Sequence, residues 1–183
     1  MTEELDLIKE VSSRLTKAGI EYMLTGSMAL SVYATPRMTR DIDMIIQVSV
    51  DDVGKIIELF HHDFYIDEAG VRQAVQKRGM FNIIDNKSVI KIDFIVKGKE
   101  KYRALEFSRR QKVEVAGMPI SIVAPEDLIL SKLVWAKDSN SELQLRDVQE
   151  ILAAQARLDN DYLDKWSEEL GVMDLLRKAQ ANE

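Results

Sequence analysis

Apolar residues recur along this chain in two different periods, and the change from one to the other divides it. Leu7, Ile8, Val11 and Leu15 are spaced by three and four, and Gly19 follows as a stop, so the pattern predicts an amphipathic helix over about residues 3–18. Ile20 to Leu24 reads as a short strand ending at Thr25-Gly26-Ser27, and Met28 to Ala34 as a helix closed off by Pro36. Asp41 to Val48, rich in isoleucine and valine, predicts a second strand. Val53, Ile56, Ile57 and Phe60 then give helical spacing within Asp51 to Phe60. A further helix is expected over about 67–78, and a hairpin in which Phe81 to Asp85 and Val89 to Val96 flank Asn86-Lys87. Lys112 to Val123 reads as two short strands around Gly117-Met118-Pro119. Beyond Ala124 the period becomes helical throughout: Pro125 takes a first helical position, and helices follow to about 137, over about 141–156 and over about 160–180. Trp135 and Trp166 are expected in the core of that helical part. The whole predicts an α+β fold, with a mixed sheet over residues 1–123 carrying helices packed on one face. A C-terminal helical bundle, 124–183, is expected to pack on this core and close a cleft.

Composition narrows the function classes. A chain of 183 residues with three prolines and eight glycines leaves no room for a long disordered linker, so compactness from end to end is expected. The net charge of −6 argues against a nucleic-acid coat acting through overall charge. One segment departs from that balance: Lys97 to Lys112 holds seven basic and two acidic residues. It reads either as a solvated helix face or as a stripe near the site that guides a triphosphate or an RNA acceptor, with Tyr102 and Phe107 available for stacking. The absence of cysteine excludes disulfides, thiolate catalysis and zinc–thiolate sites. The N-terminus is acidic and amphipathic, unlike a secretory signal, and the longest uncharged stretch, Tyr22 to Pro36, is too short to span a bilayer. A cytoplasmic location without membrane contact is the expectation. His61 and His62 close a predicted helix, where a cation complements the dipole.

The candidate chemistry sits in GSMALSVYATPRMTRDIDMII, residues 26–46. Alternate residues of a strand share a face, so Asp41 and Asp43 present two carboxylates side by side while Ile42 points away. In VIKIDFIV, Asp93 falls on the face opposite Ile90, Ile92, Phe94 and Val96. If the two strands are neighbours, three carboxylates converge, an all-oxygen set suited to Mg²⁺ or Mn²⁺. Gly26-Ser27 opens a helix whose free N–H groups and positive dipole end can receive a phosphate. Acids and phosphate cradle together describe phosphoryl or nucleotidyl transfer. The plainer alternative is a strand-start turn whose aspartates are neutralised by Arg37 or Arg40.

Gly26-Ser27, the Asp41-Ile42-Asp43 run after thirteen intervening residues and Asp93 in a subsequent apolar strand resemble the signature of the DNA polymerase beta-like nucleotidyltransferase superfamily. The spelling Arg37-x-Thr39-x-Asp41-Ile42-Asp43 resembles more narrowly the bacterial minimal and AbiEii-type nucleotidyltransferases. Those also carry a helix of the type Pro125-Glu126-Asp127-Leu128 to Lys132-Leu133, followed by an Arg-Asp pair, here Arg146-Asp147. The resemblance covers roughly residues 20–155 and implies a nucleotidyltransferase fold. It makes Asp41, Asp43 and Asp93 the catalytic and metal-holding acids, with Asp93 helping to deprotonate an acceptor hydroxyl. Gly26, Ser27, Arg37, Thr39, Lys132 and Asp147 become nucleotide or phosphate contacts, and Glu150 stands where many relatives have a second acid. Two functions follow. One is a metal-dependent enzyme, of toxin-antitoxin or RNA-modifying type, that moves a nucleoside monophosphate from a nucleoside triphosphate to a hydroxyl on RNA, protein or a small molecule. The other is a non-catalytic nucleotide-binding or regulatory module working with a partner protein or a second copy of the chain. All three aspartates are present, which favours the enzyme.

Overall fold

The first helical stripe forms α1 (Glu3–Lys17), with Leu7, Ile8, Val11 and Leu15 all buried. The computed structural model describes residues 3–37, 39, 41–115 and 117–181. The chain divides into two compact units, one of Met1–Met28 with Met38–Val123 and one of Ala29–Arg37 with Ala124–Glu183.

The first unit is built on a mixed sheet. Its strands are β1 (Glu21–Thr25), β2 (Asp41–Gln47), β3 (Phe64–Ile66), β4 (Met80–Asp85), β5 (Lys91–Val96), β6 (Gln111–Val115) and β7 (Met118–Ile122), in the spatial order β3-β4-β5-β2-β1-β7-β6. β2 runs antiparallel to β1 and parallel to β5, in register from Asp41↔Lys91 to Ile46↔Val96. Ile42, Met44, Ile46, Ile92 and Phe94 are each 0% exposed and form the apolar face of this central pair. Helices cover that face. After a 3₁₀ turn at Val50–Asp52, α3 (Val53–Phe60) sets Phe60 at 5.6 Å from Phe94 and edge-on to Phe64 at 5.5 Å. Complete burial of a side chain of this size contributes about 1.5–3 kcal/mol, so these residues fix which face turns inward. α4 (Glu68–Lys77) begins at an Asp67 cap and packs beside β4, and α1 lies against β1 and β7.

Three details depart from the sequence reading. The three-residue β3 was too short to show a period. Val89 is no strand residue: it is exposed with φ 59°, in a turn where the Asp85 carboxylate accepts the N–H groups of Lys87 and Ser88. Within Lys97 to Lys112, α5 (Lys101–Ser108) buries Tyr102 and Phe107, so neither ring is offered as a stacking platform. Phe107 is instead covered by the Arg110 guanidinium, 4.4 Å from its centroid.

The second unit is helical. It takes most of α2 (Gly26–Tyr33), then α6 (Pro125–Ser139), α7 (Glu142–Ala154), α8 (Asn160–Glu169) and α9 (Met173–Gln180). The single helix expected over about 160–180 is two, because Gly171 with φ 66° ends α8 in a left-handed turn and Val172 N–H closes back on the Ser167 carbonyl. Trp166 is buried as expected, but Trp135 is 55% exposed: it lies off the stripe of Ile129, Leu133 and Ala136 that faces the other helices. The acids that follow Pro125 serve this packing. Asp127, 0% exposed, accepts the Tyr162 hydroxyl at 2.6 Å, and Glu126 accepts the Asp159 N–H at 3.1 Å, tying the start of α8 to the start of α6. Among the described residues no helix is long and apolar enough to cross a membrane.

Candidate active site

The parallel register of β2 and β5 sets Asp43 directly beside Asp93 and Asp41 directly beside Lys91. Because alternate residues share a face, Asp41, Asp43, Lys91 and Asp93 all stand opposite the apolar residues Ile42, Met44, Ile92 and Phe94. The environment is graded: the Asp41 side chain is 59% exposed and that of Asp93 9%. Lys91 is the residue the sequence reading missed. Its Nζ donates to Asp93 Oδ2 at 2.8 Å and lies 3.9 Å from Asp41 Oδ1. The hydrogen bond to Asp93, followed by the negative field of Asp93, Asp41 and Asp43, raises the ammonium above the ordinary lysine pKa. Asp93 Oδ1 is buried and has no hydrogen-bond partner among the described residues. Such an oxygen costs free energy unless something satisfies it.

The turn before α2 is built around Asp43. β1 pairs its last residue, Thr25, with Asp43, and Gly26 then takes φ 64° as the first residue of α2. A Cβ on Gly26 would stand 2.0 Å from Asp43 Oδ2, so both the backbone angle and the carboxylate demand glycine. Ser27 is the second residue of the helix, which starts two residues before the Met28 expected from the sequence. Thr39 Oγ1 lies 3.5 Å from the Asp41 carbonyl oxygen.

Arg37, Lys132 and Asp147 come together within the helical unit. Arg37 grips Asp147 with two nitrogens, Nε at 3.0 Å and a terminal nitrogen at 3.1 Å, and Lys132 Nζ donates to the same carboxylate at 2.6 Å and to Gln144 at 3.0 Å. Lys132 and Asp147 have side chains only 5% and 4% exposed. Arg37 is thus engaged with Asp147, while Arg40, the other cation considered for the strand aspartates, lies outside the described residues. Glu150 is exposed.

The basic segment does not begin beside the acids. Lys97 follows the last residue of β5, four residues or about 13 Å along the strand direction from Asp93, and is held by Gln47 and by the Ile46 carbonyl. Elsewhere, Glu58, His61 and His62 offer ligand atoms that all lie within 4.8 Å of one another, the one such trio of acids and histidines among the described residues. They are exposed at the end of α3, with the imidazole centroids 3.7 Å apart. The oxygens of Asp41, Asp43 and Asp93 are more widely spaced than this, and the Lys91 ammonium lies within ion-pair reach of Asp41 and Asp93.

The chain has the fold of solved nucleotidyltransferase-like proteins. It aligns with an antigenic nucleotidyltransferase-like protein from Paracoccidioides brasiliensis over 97% of this chain and 85% of the other, with TM-score 0.61 and 15% identity. The antibiotic-resistance factor ANT(2'')-Ia aligns over 98% of this chain and 94% of its own, with TM-score 0.57 and 14% identity. A lincosamide antibiotic adenylyltransferase with bound lincomycin aligns over 85% and 99%, with TM-score 0.58 and 11% identity. No protein-family model and no curated protein sequence matches the chain.

Proposed function

We propose that the protein is a nucleotidyltransferase, moving a nucleoside monophosphate from a nucleoside triphosphate to an acceptor hydroxyl. The observation that carries the reading is the register Asp43↔Asp93 on one sheet face, with the Asp43 carboxylate seated against the glycine that opens α2. Asp41, Asp43 and Asp93 would hold Mg²⁺ or Mn²⁺: the donor set is all carboxylate oxygen, and Asp93 Oδ1 is a buried acceptor with nothing donating to it. When bound, the ion would offset phosphate charge and lower the pKa of the attacking hydroxyl. The protein's own groups divide the remaining work. The start of α2 at Gly26 and Ser27, the positive end of the helix dipole, receives a phosphate. Asp93 takes the proton of the acceptor hydroxyl as its oxygen bonds to the α-phosphorus and the bond to pyrophosphate breaks. In the helical unit, Arg37 and Lys132, both bonded to Asp147, are the nucleotide contacts that the motif resemblance assigns. Thr39 holds the chain leading into β2.

The acceptor is best sought first among small hydroxyl compounds. ANT(2'')-Ia has been captured with adenylyl-2''-tobramycin, and the lincosamide enzyme with lincomycin. RNA and protein hydroxyls, and the AbiEii-type toxin role that the Arg37-x-Thr39-x-Asp41 spelling suggests, form the other arms of the test. Each nucleoside triphosphate, labelled at the α-phosphate, is incubated with Mg²⁺ and either aminoglycosides and lincosamides, total RNA or cell protein. Label is expected to move to one acceptor class, and Asp43→Asn to lower transfer at least ~100-fold with an unchanged circular dichroism spectrum. Nucleotide and Mg²⁺ binding without transfer to any acceptor would favour the regulatory module over the enzyme; binding of neither would end both readings.

A further inference from the structure

We propose that Lys91 is a tethered counter-ion of the carboxylate face, resting on Asp93 and Asp41 until a divalent cation displaces it, and that it thereby sets how tightly this face takes the cation. The inference builds on the reading of Asp41, Asp43 and Asp93 as the metal-holding set.

The register leaves Lys91 no other face. As the partner of Asp41 and the i−2 neighbour of Asp93 it must stand among the acids, and Nζ lies 2.8 Å from Asp93 Oδ2 and 3.9 Å from Asp41 Oδ1. The Asp93 carboxylate is 9% exposed, and a charge so sheltered is costly without a partner. A lysine suits a replaceable partner: it is a compact point charge on a flexible stem, and at 38% exposure its head can swing into water. An incoming divalent ion seeks the same oxygens and repels the ammonium, so the two cations exclude each other. Asp93 engages Lys91 through Oδ2 alone and keeps Oδ1 unpartnered among the described residues, so an acceptor for the cation is already in place. An ordinary surface ion pair would have no such consequence: its removal would leave metal affinity where it was.

The test titrates Mg²⁺ by calorimetry into the wild type, Lys91→Met, Lys91→Gln and Lys91→Arg, with Asp93→Asn as the ligand control. Mg²⁺ is the probe because nitrogen-seeking ions would also be drawn to Glu58, His61 and His62. Both neutral variants are expected to bind Mg²⁺ at least fivefold more tightly than wild type. They are also expected to melt lower without metal and to recover most of that loss when saturated. Lys91→Arg, which keeps the charge, is expected to stay within about twofold of wild-type affinity, and Asp93→Asn to bind more weakly. Wild-type Mg²⁺ binding that is equal or tighter than that of both neutral variants overturns the role of Lys91 and leaves the metal reading standing. Absence of Mg²⁺ binding in wild type and neutral variants alike overturns both together.

Discussion

Alanine at Gly26 would place a Cβ 2.0 Å from Asp43 Oδ2, 2.8 Å from its Cγ and 2.9 Å from its Cβ. Rotating the carboxylate relieves only the first of these contacts, so β2 or the start of α2 must also shift. Bringing the closest pair even to 3.0 Å requires a displacement of about 1 Å. Two costs add. Alanine at φ 64° is strained by about 1–2 kcal/mol, and overpacking of this kind costs about 1–3 kcal/mol more. The sum of about 2–5 kcal/mol corresponds, at about 2–4 °C per kcal/mol for a chain of this size, to a loss in Tm of roughly 4–20 °C. Gly19 supplies the control, since its φ is 70° but nothing lies within 4 Å of where its Cβ would be, so Gly19→Ala carries the backbone cost alone. Thermal melts of both variants with and without Mg²⁺ separate the two terms. Gly26→Ala is expected to melt several degrees below Gly19→Ala and to lose the Mg²⁺-dependent rise that Gly19→Ala keeps. Equal melting temperatures and equal Mg²⁺ responses would refute the argument that Asp43 is seated against the glycine.

Lys132→Met leaves the buried Asp147 carboxylate to Arg37 and removes the hydrogen bond that Lys132 Nζ donates to Gln144; loss of a buried partner costs about 3–5 kcal/mol, and the surviving Arg37 fork should hold the loss seen in chemical denaturation near or below the lower figure. The same variant is expected to weaken nucleoside triphosphate binding, read by calorimetry at matched folded fraction. Burial, then the fields of Glu126 and Asp127, push the Tyr33 phenol well above its ordinary value of 10.0. Above pH 10 the unfolded chain therefore releases a proton that the folded chain retains, so stability falls as pH rises there; Tyr33→Phe is expected to flatten that alkaline limb of a denaturation series and to leave the neutral region unchanged in slope.

The sequence by itself determined the elements and the faces of the two central strands. The i, i+2 rule set Asp41 with Asp43, and the alternation in VIKIDFIV set Asp93 against Ile92 and Phe94, because a strand's side-chain period is a local property of its backbone. The glycine that opens α2 was also legible as a turn signal. Which strands are neighbours is not local. Only the tertiary structure put β5 beside β2 in parallel, and only that register turned Lys91, an unremarked residue of an apolar strand, into the ammonium on Asp93. The same holds for Arg37 and Asp147, 110 residues apart, and for Trp135, whose helical spacing suited a core position that the packing of α6 gave to Leu133 and Ala136 instead. Periodicity tells a residue which side of its own element it occupies; what stands on that side, and at what distance, depends on contacts between segments far apart in the chain, and those are chosen by the packing of the whole.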